Sequence, residues 1–121
     1  MKNIKYTFEE SILIRKFTGN VTIDVLISSL KYMLINNFFT KNITGIISDF
    51  SGANFLIAEK ELAVLKKLYL ENYEALSNVK FAQIITTPKI AQTMLFEKKN
   101  SDISTRSFST LKAAKAWINQ A

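Results

Sequence analysis

Apolar and polar positions alternate along Ile4-Lys5-Tyr6-Thr7-Phe8, the period of a half-buried strand. Glu9-Glu10-Ser11 interrupts the run as a turn, and Ile12-Leu13-Ile14-Arg15-Lys16-Phe17-Thr18 resumes it until Gly19. Together the two runs predict an N-terminal hairpin. Past Gly19 the period changes, and Ile23, Leu26, Ile27, Leu30 and Leu34 form one stripe at helical spacing. Thr22 suits the N-cap of that helix and Asp24 its first turn, where the macrodipole favours a negative charge. Asn36-Asn37 marks its end.

Gly45-Ile46-Ile47-Ser48-Asp49-Phe50 is a short apolar run of the kind that forms a buried parallel strand. Ser51-Gly52-Ala53-Asn54 reads as a turn, and Phe55-Leu56-Ile57 leads into a second helix. Ala58, Leu62, Leu65 and Tyr69 share one face of that helix, extended by Leu76, with Glu59 and Glu61 in its first turn. Residues 79–86 predict the next strand. Pro88 fits position N1 of a third helix carrying Ile90, Ala91, Met94 and Leu95. Ile103 to Phe108 is the last strand, and Ser109 caps a final helix with Leu111, Ala114, Trp117 and Ile118 on one side. The order β-β-α-β-α-β-α-β-α predicts an α/β fold: a mixed, mostly parallel sheet of about five strands with an N-terminal hairpin and about four helices.

The chain of 121 residues, 48% of them hydrophobic, suits a single domain over residues 1–121 with a core of its own. Glycine and proline are sparse, and no linker or internal repeat divides the chain. Neither a bilayer-spanning apolar run nor an apolar leader stands in the sequence, so a cytoplasmic location is expected, with peripheral membrane association compatible with it. The formal charge is +6, which favours anionic partners at long range. Arginine, however, is confined to Arg15 and Arg106, so the forked donors of base-specific readers are nearly missing and nucleic acid is not an expected partner.

The chain has no histidine and no cysteine. Ser-His and Cys-His nucleophile pairs are therefore excluded, and the usual zinc ligands are missing. A glycine-poor chain supplies no phosphate loop, and no cofactor is expected. Glu59, Glu61, Glu71 and Glu74 lie among Lys60, Lys66 and Lys67, as a solvated helix face would. Asp49 stands apart. It sits at the carboxyl end of a central strand, where open α/β sheets place ligand crevices. Its carboxylate equally suits capping the next turn through the Ser51 and Gly52 amides.

Two stretches resemble the STAS domain, and within it the SpoIIAA-like group. One is Ile46-Ile47-Ser48-Asp49-Phe50-Ser51-Gly52-Ala53-Asn54-Phe55; the other is Phe108-Ser109-Thr110-Leu111-Lys112-Ala113-Ala114-Lys115-Ala116-Trp117-Ile118. The resemblance covers almost the whole chain and implies a regulatory or carrier module, not an enzyme. Anti-sigma-factor antagonists of this type are switched by phosphorylation of a serine at the start of the second helix. The matching stretch here is Ile57-Ala58-Glu59-Lys60: Glu59 stands in the serine's place and Ile57 replaces an acidic residue. The branch without the serine is associated with apolar molecules and with membranes. Met33 to Phe39, together with Ile57, Met94 and Phe96, carries more apolar mass than one buried stripe needs.

The expected function is thus a non-catalytic binding module for an apolar small molecule or lipid, able to meet an anionic membrane surface. The alternative is a STAS-type interaction module that forms a homodimer or engages a protein partner. The candidate ligand-binding residues are Phe39, Asp49, Ser51, Phe55, Ile57, Glu59, Met94 and Phe96.

Overall fold

The computed structural model describes residues 3–86 and 104–120. Strand β1 (Ile4–Glu9) and β2 (Ile12–Phe17) form the expected antiparallel hairpin, with Glu10 at φ 54° in its tight turn. Strands β4 (Gly45–Asp49), β6 (Lys80–Ile84) and β7 (Thr105–Phe108) extend it in parallel. The sheet is five-stranded, in the order β1-β2-β4-β6-β7. This is the mixed, mostly parallel α/β sheet that the residue pattern predicts.

Helix α1 (Ile23–Ile35) starts where expected, with the Thr22 hydroxyl accepting from the Val25 amide at 3.4 Å. Helix α2 spans Glu59–Glu71 and the short α3 spans Tyr73–Leu76. The sequence predicts one helix through to Leu76. Instead, Asn72 turns its side-chain amide onto the Leu68 carbonyl at 2.9 Å, and the backbone bends there. A side chain that bonds a carbonyl four residues back competes with the helical ladder. The last helix, α4 (Leu111–Ile118), is capped by Thr110, not by Ser109: the Thr110 hydroxyl accepts from the Ala113 amide at 3.2 Å. The third helix expected from Pro88 onward, and the start of the last strand at Ile103, lie outside the described residues.

Two short strands do not appear in the sequence reading. Strand β3 (Gly19–Val21) and β5 (Ala53–Phe55) pair in parallel as a small second sheet, tied by Asn54 Nδ2 donating to Asn20 Oδ1 at 3.1 Å. Ala53 and Asn54, read as part of a turn, belong to it. Strands of three residues with asparagine at the centre carry no alternation signal.

Successive strand residues point to opposite faces, and the two faces have different covers. Leu13, Phe17, Ile46 and Phe81 pack with Leu26, Leu30 and Met33 of α1 and with Leu62 and Leu65 of α2. Ile12, Ile47, Ala82 and Ile84 pack with Ala114 and Ile118 of α4. Among the described residues, no helix is long and apolar enough to cross a membrane.

Gly45 shows how closely α4 seats on the sheet. A methyl group there would lie 2.5 Å from Ile118 Cγ2 and 2.6 Å from Cδ1. Overpacking of this kind costs about 1–3 kcal/mol. Gly45→Ala is therefore expected to lower stability by that amount in urea unfolding, and the loss should shrink by at least about 0.5 kcal/mol in an Ile118→Ala background. An equal loss in both backgrounds would mean that the contact with Ile118 is not its cause.

Candidate functional site

The lead-in to α2 is built by two packed side chains and one reaching carboxylate. Phe55 ends β5 and Ile57 follows it, and both are buried in the core beneath α1 and α2. They anchor the backbone from which Glu59 begins the helix in the open. Ala58, the N-cap, has no side-chain acceptor, but Glu61 Oε1 accepts from the Ala58 amide at 2.8 Å. Glu59 and Glu61 thus place two carboxylates at the positive end of the helix.

Asp49 is not part of this group. It shares the strand phase of Gly45 and Ile47 and lies on the side of the sheet covered by α4. Its Oδ1 accepts from the Ser51 amide at 2.9 Å and from the Ser51 hydroxyl at 2.6 Å. The Asp49–Ser51 pair therefore closes the turn between β4 and β5. Phe39 lies in the 3₁₀ turn after α1 and packs, half-buried, against the core. Met94 and Phe96 lie outside the described residues. Among the described candidates, the structure joins Phe55, Ile57 and Glu59 along one segment, pairs Asp49 with Ser51, and sets Phe39 in a separate element.

The outer face of α2 presents Lys60, Ala63, Val64, Lys67 and Leu70 to solvent, and Leu56 before the helix is exposed as well. Val64 and Leu56 expose 54% and 50% of their surface. A second exposed group lies on β1 and the end of α1. Exposed Phe8 and Tyr32 each pack edge to face on the buried Phe38 ring, Lys41 Nζ sits 5.6 Å over the Phe8 ring, and Ile35 is 78% exposed.

One buried polar centre escaped the sequence reading. Arg15 is 4% exposed. Its Nε and Nη2 donate to Ser48 Oγ at 3.2 and 2.6 Å, and its Nη1 donates to Ser29 Oγ at 3.0 Å. Its guanidinium stacks 5.2 Å from the centre of the Phe17 ring. Ser29 in turn is 2.8 Å from the Tyr6 hydroxyl, and the Tyr69 hydroxyl approaches Arg15 from α2. Strand register aligns Arg15, Ser48, Gln83 and Ser107 in one rank across the sheet. The signal was present: Arg15 falls between Leu13 and Phe17 in the inward phase of β2. A cavity of about 30 Å³ opens beside it, lined by Arg15, Ser48, Tyr69 and Gln83 with apolar walls from α1, α2 and the sheet.

These elements define a class: an α/β domain of SpoIIAA-like fold. Solved structures establish it. The unphosphorylated anti-sigma factor antagonist SpoIIAA superposes with a TM-score of 0.62 at 11% identity, covering 98% of this chain and 99% of its own. A candidate anti-sigma factor antagonist from Thermotoga maritima gives 0.66 at 14% identity over 97% and 95%. An uncharacterized protein of SpoIIAA-like fold from Shewanella loihica gives 0.59 at 14% over 95% and 91%. No family model matches the chain, and no curated protein matches it in sequence.

Burial raises the Tyr69 phenol above its ordinary value of 10.0, outweighing the lowering influence of Arg15. Burial likewise raises Tyr6, against its hydrogen bond to Ser29 and the charge of Arg15. A folded-state value above the unfolded one means that the neutral phenol is favoured by folding. This stability is fully present below about pH 10 and is lost as the pH climbs toward the folded-state values. Stability measured by urea midpoints should therefore fall above pH 10, and Tyr69→Phe should flatten that fall. An identical alkaline slope in the variant would assign the loss to other groups.

Proposed function

We propose that the protein is a non-catalytic interaction module of STAS type whose partner is a protein bearing an acidic and apolar surface, docking on the outer face of α2. The observation that carries this reading is the alternation of exposed Ala63, Val64 and Leu70 with Lys60 and Lys67 on that helix. A patch that is apolar at its centre and charged at its rim suits a transient protein interface, and a charge of +6 favours an acidic partner. The fold likeness to anti-sigma factor antagonists supports the same reading.

The engagement is not gated by phosphorylation at the start of α2. SpoIIAA has been solved in a phosphorylated form; here Glu59, a permanent carboxylate, opens the helix where the phospho-acceptor serine would align. Glu59 therefore supplies constitutively part of the negative charge that a phosphoryl group adds on demand.

A second reading, an apolar small molecule or an anionic membrane surface, is favoured by exposed Phe8 and Ile35 beside Lys31 and Lys41. It draws less support from the expected pocket residues, because Phe55 and Ile57 complete the core and Phe39 packs against it.

The wild-type chain should retain a stoichiometric protein partner that Val64→Asp and Lys67→Glu each weaken at least about tenfold, with circular dichroism and unfolding midpoint unchanged. Co-sedimentation with anionic liposomes that Ile35→Asp abolishes, without any protein partner sensitive to Val64→Asp, would replace this reading with the second one.

A further inference from the structure

Strand β1 lies at the edge of the sheet, and among the described residues it pairs only with β2. The direction of its free backbone groups follows from the hairpin. The Thr18 amide donates to the Asn3 carbonyl at 3.0 Å, in continuation of the β1–β2 register. In an antiparallel ladder, residue pairs that exchange hydrogen bonds alternate with pairs that do not. Lys5, Thr7 and Glu9 therefore turn their backbone groups toward β2, and Ile4, Tyr6 and Phe8 turn theirs outward. An outward row of this kind is a template for another strand. The side chains alternate as well. Phe8, 43% exposed, lies with Tyr6 on the side covered by α1, whereas Lys5, Thr7 and Glu9 are exposed on the α4 side.

Charge decides which strand fits. Lys5 stands opposite Lys16 on β2, a like charge across the strand pair. Among the described residues Lys5 has no acidic partner, and the next acid along its rank, Asp49, lies beyond Lys16 on β4. A lysine on an edge strand ordinarily deters pairing. Glu9, four residues further along the same face, offers the compensating charge. Its side chain is 48% exposed despite the ion pair with Lys115, which leaves it open to a second cation. An antiparallel copy of β1 set with Thr7 opposite Thr7 places Lys5 of each chain against Glu9 of the other. The same register brings Tyr6 opposite Phe8, the residues whose backbone groups face outward, so ladder and charges agree. A slip of two residues keeps the ladder but sets Lys5 or Glu9 against Thr7 and loses both ion pairs.

We propose that β1 is a homodimer interface: two copies of this chain join their sheets edge to edge, antiparallel across a two-fold axis at Thr7, with Lys5 of each paired to Glu9 of the other. The partner is a second copy because the strand is complementary in charge to itself at this one register. A two-fold pairing is closed, since each copy brings a single β1 edge and both are used up. It adds about four backbone hydrogen bonds between the outward groups of Tyr6 and Phe8. It also covers the exposed Phe8 ring with Tyr6 of the other copy, so this ring needs no lipid to shield it. The interface uses none of the α2 residues on which a protein partner docks.

Sedimentation equilibrium of the full chain should show a monomer–dimer equilibrium. Lys5→Glu and Glu9→Lys each set like charges face to face at both ends of the ladder, and each should weaken the dimer at least about tenfold with circular dichroism unchanged. An equimolar mixture of the two variants should recover the dimer, because every facing pair then has opposite signs. The mixture does not restore the ion pair of Glu9 with Lys115, so recovery separates the interface from the loss of that contact. The chain has no cysteine, so Thr7→Cys introduces a single thiol. At the axis its Cα stands about 4.5 Å from that of its copy, within disulfide reach, and mild oxidation should link the variant into a dimer. Lys16→Cys, on the same face one strand away, should stay unlinked under the same conditions. A monomer at millimolar concentration, a dimer indifferent to both charge reversals or lost on Val64→Asp instead, or liposome binding by a monomer through Phe8 would each overturn the interface.

Discussion

A guanidinium stands in the middle of this sheet's covered face, held by hydroxyls. Arg15 reaches from β2 to Ser48 on β4, to Ser29 on α1 and to Tyr69 on α2, and through Ser29 it meets Tyr6 on β1. Among the described residues, no other core side chain links so many elements through polar contacts. Breaking such a network by removing one partner strands the rest without compensation, which costs more than any one of its bonds contributes. The apolar cluster around it is generous, with Leu13, Phe17, Leu30, Met33, Ile46 and Leu76 fully buried. Apolar packing alone tolerates rearrangement. Directional bonds from one arginine to a second strand and to α1 do not, so Arg15 helps set where α1 sits over the sheet.

Much of this architecture was legible in the residue pattern because the strands and helices have different periods. Ile4 to Phe17 alternates and forms the hairpin; Ile23 to Leu34 repeats at helical spacing and forms α1; Ile46 and Ile47 stand side by side in β4 because both faces of that strand are covered. Thr22 at the cap of α1 was legible for the same local reason, since the N-cap bond spans only three residues. The parts that were not legible depend on long-range pairing. β3 and β5 are stabilised by each other across a separation that no local pattern records. The break at Asn72 depends on which of two competing hydrogen bonds its side chain takes.

The candidate site was legible only in part, and the reason is phase. Asp49 was chosen for its position at the end of a strand, yet its phase sends it to the α4 side, away from Phe55 and Ile57. Phe55 and Ile57 were chosen for their apolar surplus, which a core can absorb as readily as a pocket can display. Arg15 was passed over because a charged residue in a hairpin is ordinarily solvent-facing, although its neighbours two positions either side are wholly buried. Phase outranked residue type for Asp49 and Arg15.

The same constraint shapes what the surface of α2 can do. Its inner face is pinned by Leu62, Leu65 and Tyr69, the last close to the buried arginine. Its outer face carries Val64 and Lys67 on a helix held by that inner packing. A preorganised face loses little entropy when a partner docks on it. At the start of the helix, Glu59 and Glu61 hold a fixed negative charge against the dipole, so no covalent event is required to set the electrostatics of that end.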